Sequence, residues 1–181
     1  LDMPQLTRYM ISDTWKLRNS GDWGWSSEIG IRYLNENRSG GQVNYNPETD
    51  QGSYTVYGQT VKLSQPEIYS KTSYKFNDTH GYSAFVSAYQ QTQNSYFGTV
   101  KYDANQTSIY ANLQYELDYG EKNAFRTGAS FRYLKLDENV SFTENSLNRT
   151  YAGDYRKEEQ ISGLFAEHIL SFLDGRATWI A

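Results

Sequence analysis

The chain of 181 residues has no cysteine, only two histidines and only three prolines. The missing cysteines exclude a disulfide framework and a thiolate metal site, and two histidines are too few for a multi-histidine site. The net charge of −4 gives no basic surface for nucleic acid, so we expect no such partner. No apolar run is long enough for a transmembrane helix, which needs about 18 residues. A mean hydropathy of −0.78 fits a soluble protein, but it also fits a transmembrane β-barrel, whose strands alternate apolar and polar residues.

Apolar and polar residues alternate with a period of two along most of the chain. In residues 108–118, Ile109, Leu113 and Leu117 share one face, and Asn112 and Gln114 lie on the other. Alternation of this length predicts a β-strand. We predict seven strands and the start of an eighth, over residues 6–17, 27–34, 67–76, 82–89, 108–118, 125–133, 161–172 and 177–181.

The predicted connections alternate between short and long. Short turns at 19–22, 77–81, 119–123 and 174–176 carry Asn, Asp or Gly, which suit tight hairpins. The long polar segments are 38–60, 92–105 and 137–160. This order predicts an all-β, antiparallel up-and-down sheet with short turns on one rim and long loops on the other.

Rim asymmetry of this kind is typical of outer-membrane barrels, which combine short periplasmic turns with long extracellular loops. Aromatic residues cluster beside the short turns, where an interfacial girdle would lie. They are Tyr74, Phe76, Tyr82, Tyr115, Tyr119, Phe125 and Phe172. A soluble sandwich or barrel would alternate likewise, but such domains rarely place three long loops on one rim.

Several segments, in their order and spacing, resemble the barrel of TonB-dependent outer-membrane receptors from Bacteroidota. These segments are 82–89 (YSAFVSAY), 95–98 (SYFG), 106–113 (QTSIYANL), 126–133 (RTGASFRY), 149–153 (RTYAG) and 165–167 (FAE). The resemblance extends from about Trp25 to the end of the chain.

The resemblance implies that residues 1–181 are part of a transmembrane barrel domain of about 22 strands that encloses a plug domain. The implied function is import of a scarce, bulky nutrient across the bacterial outer membrane. A corrinoid is the favoured nutrient, and iron chelates such as a siderophore or haem are the others. The implied partners are outer-membrane lipid, the remaining strands and the plug domain, TonB through the missing N-terminal part, and a surface lipoprotein.

The chain opens without a signal peptide, so we expect a cytoplasmic protein, a processed one or a piece of a longer one. It stops at Ala181, inside a predicted strand. An open sheet edge in hydrocarbon leaves backbone groups unpaired. We therefore expect the missing strands to come from elsewhere, and we expect this segment alone neither to close a barrel nor to transport anything.

The predicted long loops carry aromatic residues far from the short turns. Exposed aromatic side chains often mark binding surfaces, although they also pack loops against each other. The candidates for ligand-binding loops are Tyr45, Tyr54, Tyr57, Tyr96, Phe97, Tyr102 and Tyr151.

Charged residues on the polar strand faces are expected to line the barrel lumen or contact a plug. The candidates are Arg32, Arg126, Arg132 and Glu167, and Glu167 is expected to pair with a neighbouring arginine. The opposite face, with Ile109 and Leu113, is expected to contact lipid.

Enzymatic chemistry has little support in the sequence. Paired carboxylates such as Glu116 and Asp118 lie on a polar strand face, where solvated charge is the simplest interpretation. We expect no catalytic residue, metal site or cofactor. The alternatives to the importer are an independent small outer-membrane β-protein (adhesin, scaffold or passive pore) and, less favoured, a soluble sugar-binding β-domain.

Overall fold

The computed structural model describes residues 4–19, 21, 24–120, 123–144, 151–172 and 176–181. Eight strands form one antiparallel sheet in which every strand pairs with its neighbours in the sequence. The strands are β1 (Gln5–Arg18), β2 (Gly24–Gly41), β3 (Gly58–Lys75), β4 (His80–Phe97), β5 (Val100–Tyr119), β6 (Asn123–Phe142), β7 (Gly153–Phe172) and β8 (Ala177–Ile180). The predicted all-β, up-and-down topology is confirmed. The sheet is open, because β1 and β8 do not pair with each other.

The meander order places alternate connections on opposite rims of the sheet. We name the edge with the β1–β2, β3–β4, β5–β6 and β7–β8 connections the turn rim, and the opposite edge the loop rim. The turn rim holds the predicted short turns. Positions 20, 22–23, 121–122 and 173–175 of those turns lie outside the described residues.

The predicted long loop over residues 92–105 is wrong. Strand β4 continues to Phe97, and a two-residue turn at Gly98 and Thr99 leads directly into β5. Gly98 has a φ of 59°, which glycine adopts at little cost in a tight hairpin. The segment looked like a loop because its alternation changes phase: apolar side chains such as Tyr102 and Ala104 lie on the opposite face from Ile109 and Leu113, whereas the backbone pairing of the strand continues through both parts.

The other two predicted long loops are shorter than expected. The β2–β3 connection spans residues 42–57 and the β6–β7 connection spans 143–152, of which 145–150 lie outside the described residues. The residues that do not belong to these loops extend the ends of β2, β3, β6 and β7, which are longer than predicted. The loop rim therefore carries two loops and one tight turn instead of three long loops.

A uniform register sorts the side chains into two faces. Strands β5 and β6 pair without interruption from Val100 opposite Phe142 to Tyr119 opposite Asn123. The side chains of cross-strand partners point to the same side of a sheet. The face of one residue therefore gives the face of every residue that is paired with it across the neighbouring strands. We name the face with Leu113 and its partner Ala129 the belt face, and the face with Gln114 and its partner Gly128 the charged face.

A single-layer sheet has almost no conventional core. Among the described residues, the only buried hydrophobic side chains are Ala104 and Leu134, both on the charged face. Many large apolar side chains are exposed instead, among them Leu113 at 54% and Leu164 at 89%, both on the belt face. The fold is thus held by its backbone ladders, and no other part of the chain that the structure describes covers the apolar face.

Two glycines on the charged face allow aromatic rings to lie flat on the sheet. Gly30 pairs with Tyr69, and a Cβ at Gly30 would overlap the Tyr69 ring. Gly128 pairs with Phe165, and a Cβ there would overlap both the Leu113 carbonyl oxygen and the Phe165 ring. Rings that cover glycines in a neighbouring strand help to fix the register.

Candidate functional site

The lower part of the belt face, towards the turn rim, forms a continuous apolar band. It covers the belt-face positions within residues 25–33, 66–74, 80–88, 109–119, 123–133 and 160–172 of strands β2 to β7. None of these positions carries Asp, Glu, Lys or Arg. A stretch of about ten residues, tilted as barrel strands are, corresponds to a height of about 25 Å, which is the height of the apolar band of outer-membrane barrels. We name this band the apolar belt.

The edge strand β1 is the exception to this pattern. Asp13 lies on the belt face between Ile11 and Trp15, opposite Ile31. Its Oδ1 accepts a hydrogen bond from the Thr14 backbone N–H at 2.8 Å. The uncharged belt is therefore a property of β2 to β7.

Above the apolar belt, towards the loop rim, the same face becomes polar. We name this upper part the outer polar band; its members are Asn35, Asn37, Ser39, Thr60, Lys62, Ser64, Gln90, Thr92, Asn94, Lys101, Asp103, Asn105, Lys135, Asp137, Asn139, Asp154, Arg156 and Glu158.

Neighbouring strands in the outer polar band are joined by side-chain hydrogen bonds and ion pairs. Asn94 Nδ2 donates to Asp103 Oδ1 at 2.8 Å, and Asn139 Nδ2 donates to Asp154 Oδ1 at 2.7 Å. Lys101 Nζ lies 3.0 Å from Asp103 Oδ2. The carboxyl of Asp103 is partly buried, which opposes ionisation, but the bonds from Asn94 and Lys101 prevail and lower its pKa. Side chains of this kind suit water and polar headgroups.

The lower border of the apolar belt is a chain of aromatic contacts at the turn rim. The ring of Phe76 lies 4.9 Å from that of Tyr74 and 5.5 Å from that of Tyr82, which in turn lies 5.0 Å from Tyr115. His80 Nδ1 is 2.6 Å from the Tyr115 hydroxyl. The predicted aromatic cluster beside the short turns is confirmed as a geometric feature.

The second histidine is part of a similar arrangement. His168 Nε2 is 2.7 Å from the Tyr119 hydroxyl, and the two rings stack. Among the described residues, no group of three or more histidine and carboxylate side chains is arranged to bind a metal ion. Both histidines are ring partners of tyrosines.

The predicted lumen charges all lie on the charged face. Arg32 forms an ion pair with Glu67, its cross-strand partner. Arg126 Nη1 lies 3.4 Å from Glu167 Oε1, so the expected pairing of Glu167 with a neighbouring arginine is present in the structure. Arg126 Nε also lies 3.8 Å from Glu116 Oε1. Arg132 is exposed on the same face.

A three-residue ion cluster lies higher on the charged face and was not predicted from the sequence. Glu36 is only 8% exposed, and its carboxylate bridges Arg8 of β1 and Arg38 of β2. The hydrogen bond from Arg8 is the main cause that lowers the pKa of Glu36, and it outweighs the opposing effect of burial. The alternation of Arg32, Leu34, Glu36 and Arg38 was the available signal, but β2 was predicted to end at residue 34.

The aromatic candidates divide between loop and strand. Tyr45, Tyr54 and Tyr57 lie in the β2–β3 connection, whereas Tyr96, Phe97 and Tyr102 lie on β4 and β5, so their assignment to a loop is wrong. Tyr151 lies in the β6–β7 connection, and its ring is 4.9 Å from that of Phe142.

Two of these tyrosines have partners that hold the loop rim together. The Tyr45 hydroxyl is 2.8 Å from Thr60 Oγ1, and its ring lies against Gly58. Tyr102 donates to Glu138 Oε1 at 2.5 Å, and burial together with that bond raises its pKa to about 12. Tyr54, in contrast, is 81% exposed and available for contact.

The comparisons with known proteins add no family to this description. No protein-family model, no curated protein and no solved structure matches the chain. Within the described residues, no helix has the length and apolarity needed to cross a membrane.

Proposed function

We propose that this chain is part of the wall of an outer-membrane β-barrel of the TonB-dependent receptor type, which imports a bulky nutrient. The observation that carries the membrane assignment is the uncharged apolar belt, about 25 Å high, on six consecutive strands. A soluble single-layer sheet would have to cover this surface with protein, and large exposed apolar patches mark membranes or partners. The belt supports lipid as the occupant, because aromatic residues border it at the turn rim.

The charged face supports its assignment to a lumen. It carries the pairs Arg32–Glu67 and Arg126–Glu167 at the same height as the apolar belt. Charges at membrane depth are tolerated where they line a water-filled cavity or contact protein. The importer function rests on this architecture together with the resemblance of the strands to the receptor barrel. The nutrient proposed first is a corrinoid, followed by an iron chelate such as a siderophore or haem.

The open edges of β1 and β8 fit a larger barrel. Unpaired backbone groups in hydrocarbon cost several kcal/mol each, so both edges require further strands in the membrane. In the proposed receptor these strands, a plug domain and TonB act together with this segment. An independent small β-protein would need pairing of β1 with β8 or between copies of the chain.

Cysteine labelling tests the orientation, since the chain has no native cysteine. Ser53→Cys in the β2–β3 loop should react with a membrane-impermeant thiol reagent on intact cells, and Asp78→Cys at the turn rim should react only after the outer membrane is opened. Equal labelling of both in intact cells would contradict the topology.

Growth on limiting nutrients tests the importer. Cells that lack the encoding gene are grown with cyanocobalamin, haem or a ferric siderophore as the limiting nutrient. Growth should fail only on the nutrient that the protein imports. Deletion of TonB should cause the same defect. Uptake that persists without TonB would favour the alternative of a passive pore, and normal growth on all three nutrients would reject these substrates.

A further inference from the structure

A polar cavity lies on the belt face at the loop rim, directly above the apolar belt. Its volume is about 530 Å³, and it is formed between the β2–β3 loop and strands β1 to β3. The strand residues are Gln5, Thr7, Asn37, Ser39, Thr60 and Lys62, all belt-face positions. The loop contributes Pro47, Glu48 and Gln51. The lining is thus made of amides and hydroxyls with one basic and one acidic group.

The loop that covers this cavity is anchored at both ends and near its middle. Tyr45 reaches Thr60 through its hydroxyl, and Gln42 N–H donates to the Tyr57 carbonyl at 3.0 Å. Thr143 Oγ1 donates to the Gly52 carbonyl, which ties the loop to the end of β6. Within the loop, Asn46 N–H donates to Asp50 Oδ2 at 2.9 Å. These contacts hold the loop over the strands and define the shape of the cavity.

Lys62 distinguishes this cavity from the rest of the outer polar band. Lys101 and Lys135 each pair with a carboxylate two residues further along the same strand, at 3.0 Å and 2.9 Å. Lys62 is exposed and, among the described residues, forms no ion pair. It pairs in register with Asn37 and Asn94, so amides flank it on both neighbouring strands. A cation among amides suits an anionic group attached to a hydroxylated molecule.

We infer that this cavity binds the sugar headgroup of an outer-leaflet glycolipid, with Lys62 contacting a phosphate or carboxylate of that headgroup. The position selects a membrane lipid over a soluble sugar, because the cavity opens on the face that continues into the apolar belt. Acyl chains against the belt place the headgroup at the height of Lys62. Amides and hydroxyls around it match the donors and acceptors of sugar hydroxyls. This inference rests on the proposed membrane function.

Binding to lipopolysaccharide in vesicles tests the inference. The whole proposed receptor, of which this chain is part, is reconstituted in phosphatidylcholine vesicles and titrated with lipopolysaccharide that carries its core sugars, and binding is followed by isothermal titration calorimetry. Lys62→Gln should weaken binding about tenfold, the loss expected for one charge-assisted hydrogen bond. The control is Lys135→Gln, another lysine of the outer polar band that is already paired with Asp137, and it should leave binding unchanged.

A further titration distinguishes a membrane glycolipid from a soluble sugar. Free core oligosaccharide without acyl chains should bind at least tenfold more weakly than the whole glycolipid; equal affinity would show a soluble sugar site and overturn the inference. Equal loss in Lys62→Gln and Lys135→Gln, or in neither, would also overturn it. Failure of the whole receptor to insert into vesicles would overturn the proposed function as well, whereas insertion without Lys62-dependent binding would overturn only the glycolipid site.

Discussion

The apolar belt and the outer polar band lie on the same face of the same strands, yet they contain opposite chemistry. On β5, Ile109, Ala111 and Leu113 belong to the belt, whereas Lys101, Asp103 and Asn105 belong to the band. The backbone ladder to β6 is continuous through both. The change in side chains is therefore not accompanied by a change in fold. In the proposed arrangement, β5 leaves the lipid just above Ile109 and continues into water.

The largest effect is expected from a charge placed in the apolar belt. Leu113→Arg should destabilise the membrane-inserted protein by about 2–4 kcal/mol, the cost of arginine facing mid-bilayer lipid. Gln114→Arg, one residue further on the charged face, is the matched control and should change stability by less than about 1 kcal/mol. Urea titration of the protein in vesicles measures both, and equal losses would reject the assignment of the two faces.

A smaller loss is expected from overpacking at Gly128. In Gly128→Ala the new Cβ overlaps the Leu113 carbonyl, which belongs to the backbone and cannot rotate away, so a loss of about 1–3 kcal/mol is expected. Gly40, at the level of the outer polar band, is the control, because its nearest neighbour, Pro4 Cβ, is 3.5 Å from a Cβ built there. Thermal unfolding compares the two variants. An equal effect would mean that Gly128 has room that the structure does not show.

The attachment of β1 should depend on pH through Glu36. Its pKa is lowered in the folded protein, so the stabilisation is complete above the ordinary value of 4.5 and is lost as the pH falls through the folded value. Because Arg8 and Glu36 join β1 to β2, acid should loosen β1 before the other strands. Hydrogen exchange measured across this pH range tests the order.

A matched variant sharpens the pH experiment. Glu36→Gln removes the titrating group, so the protection of the β1 amides, taken relative to the intrinsic exchange rate at each pH, should no longer depend on pH in this range. A β1 that loosens in acid to the same extent in Glu36→Gln would exclude Glu36 as the cause.

The smallest effect is expected in the outer polar band. Lys101→Gln removes a surface ion pair with Asp103, and exposed pairs contribute about 0–1 kcal/mol. Asp103 keeps its hydrogen bond from Asn94, which limits the loss further. A loss as large as that expected for Leu113→Arg would mean that the band and the belt share one environment, contrary to this account.

The strands could be predicted from the sequence where one face is apolar, and not elsewhere. Residues 108–118 alternate with the one exception of Tyr110, and β5 contains all of them. Over residues 92–105 the polar side chains, such as Asn94 and Asp103, lie on the face that continues the belt and the apolar ones, such as Tyr102, lie on the other face, so the alternation changes phase and the β4–β5 hairpin was not predicted. The pairing of Glu167 was predictable from charge and face, but its choice of Arg126 required the register. The cluster around Glu36 and the Lys62 cavity depend on cross-strand neighbours and a folded loop, which no local pattern contains.

Depth-dependent quenching along β5 tests the central claim most directly. Single cysteines at Ile109, Ala111, Leu113, Asp103 and Asn105 are labelled with one fluorophore, in a chain that has no other cysteine, and the protein is reconstituted in vesicles. The account predicts strong quenching by brominated lipid and little by iodide at 109, 111 and 113, with the reverse at 103 and 105. Iodide quenching of equal strength at all five positions would show that the apolar belt does not face lipid.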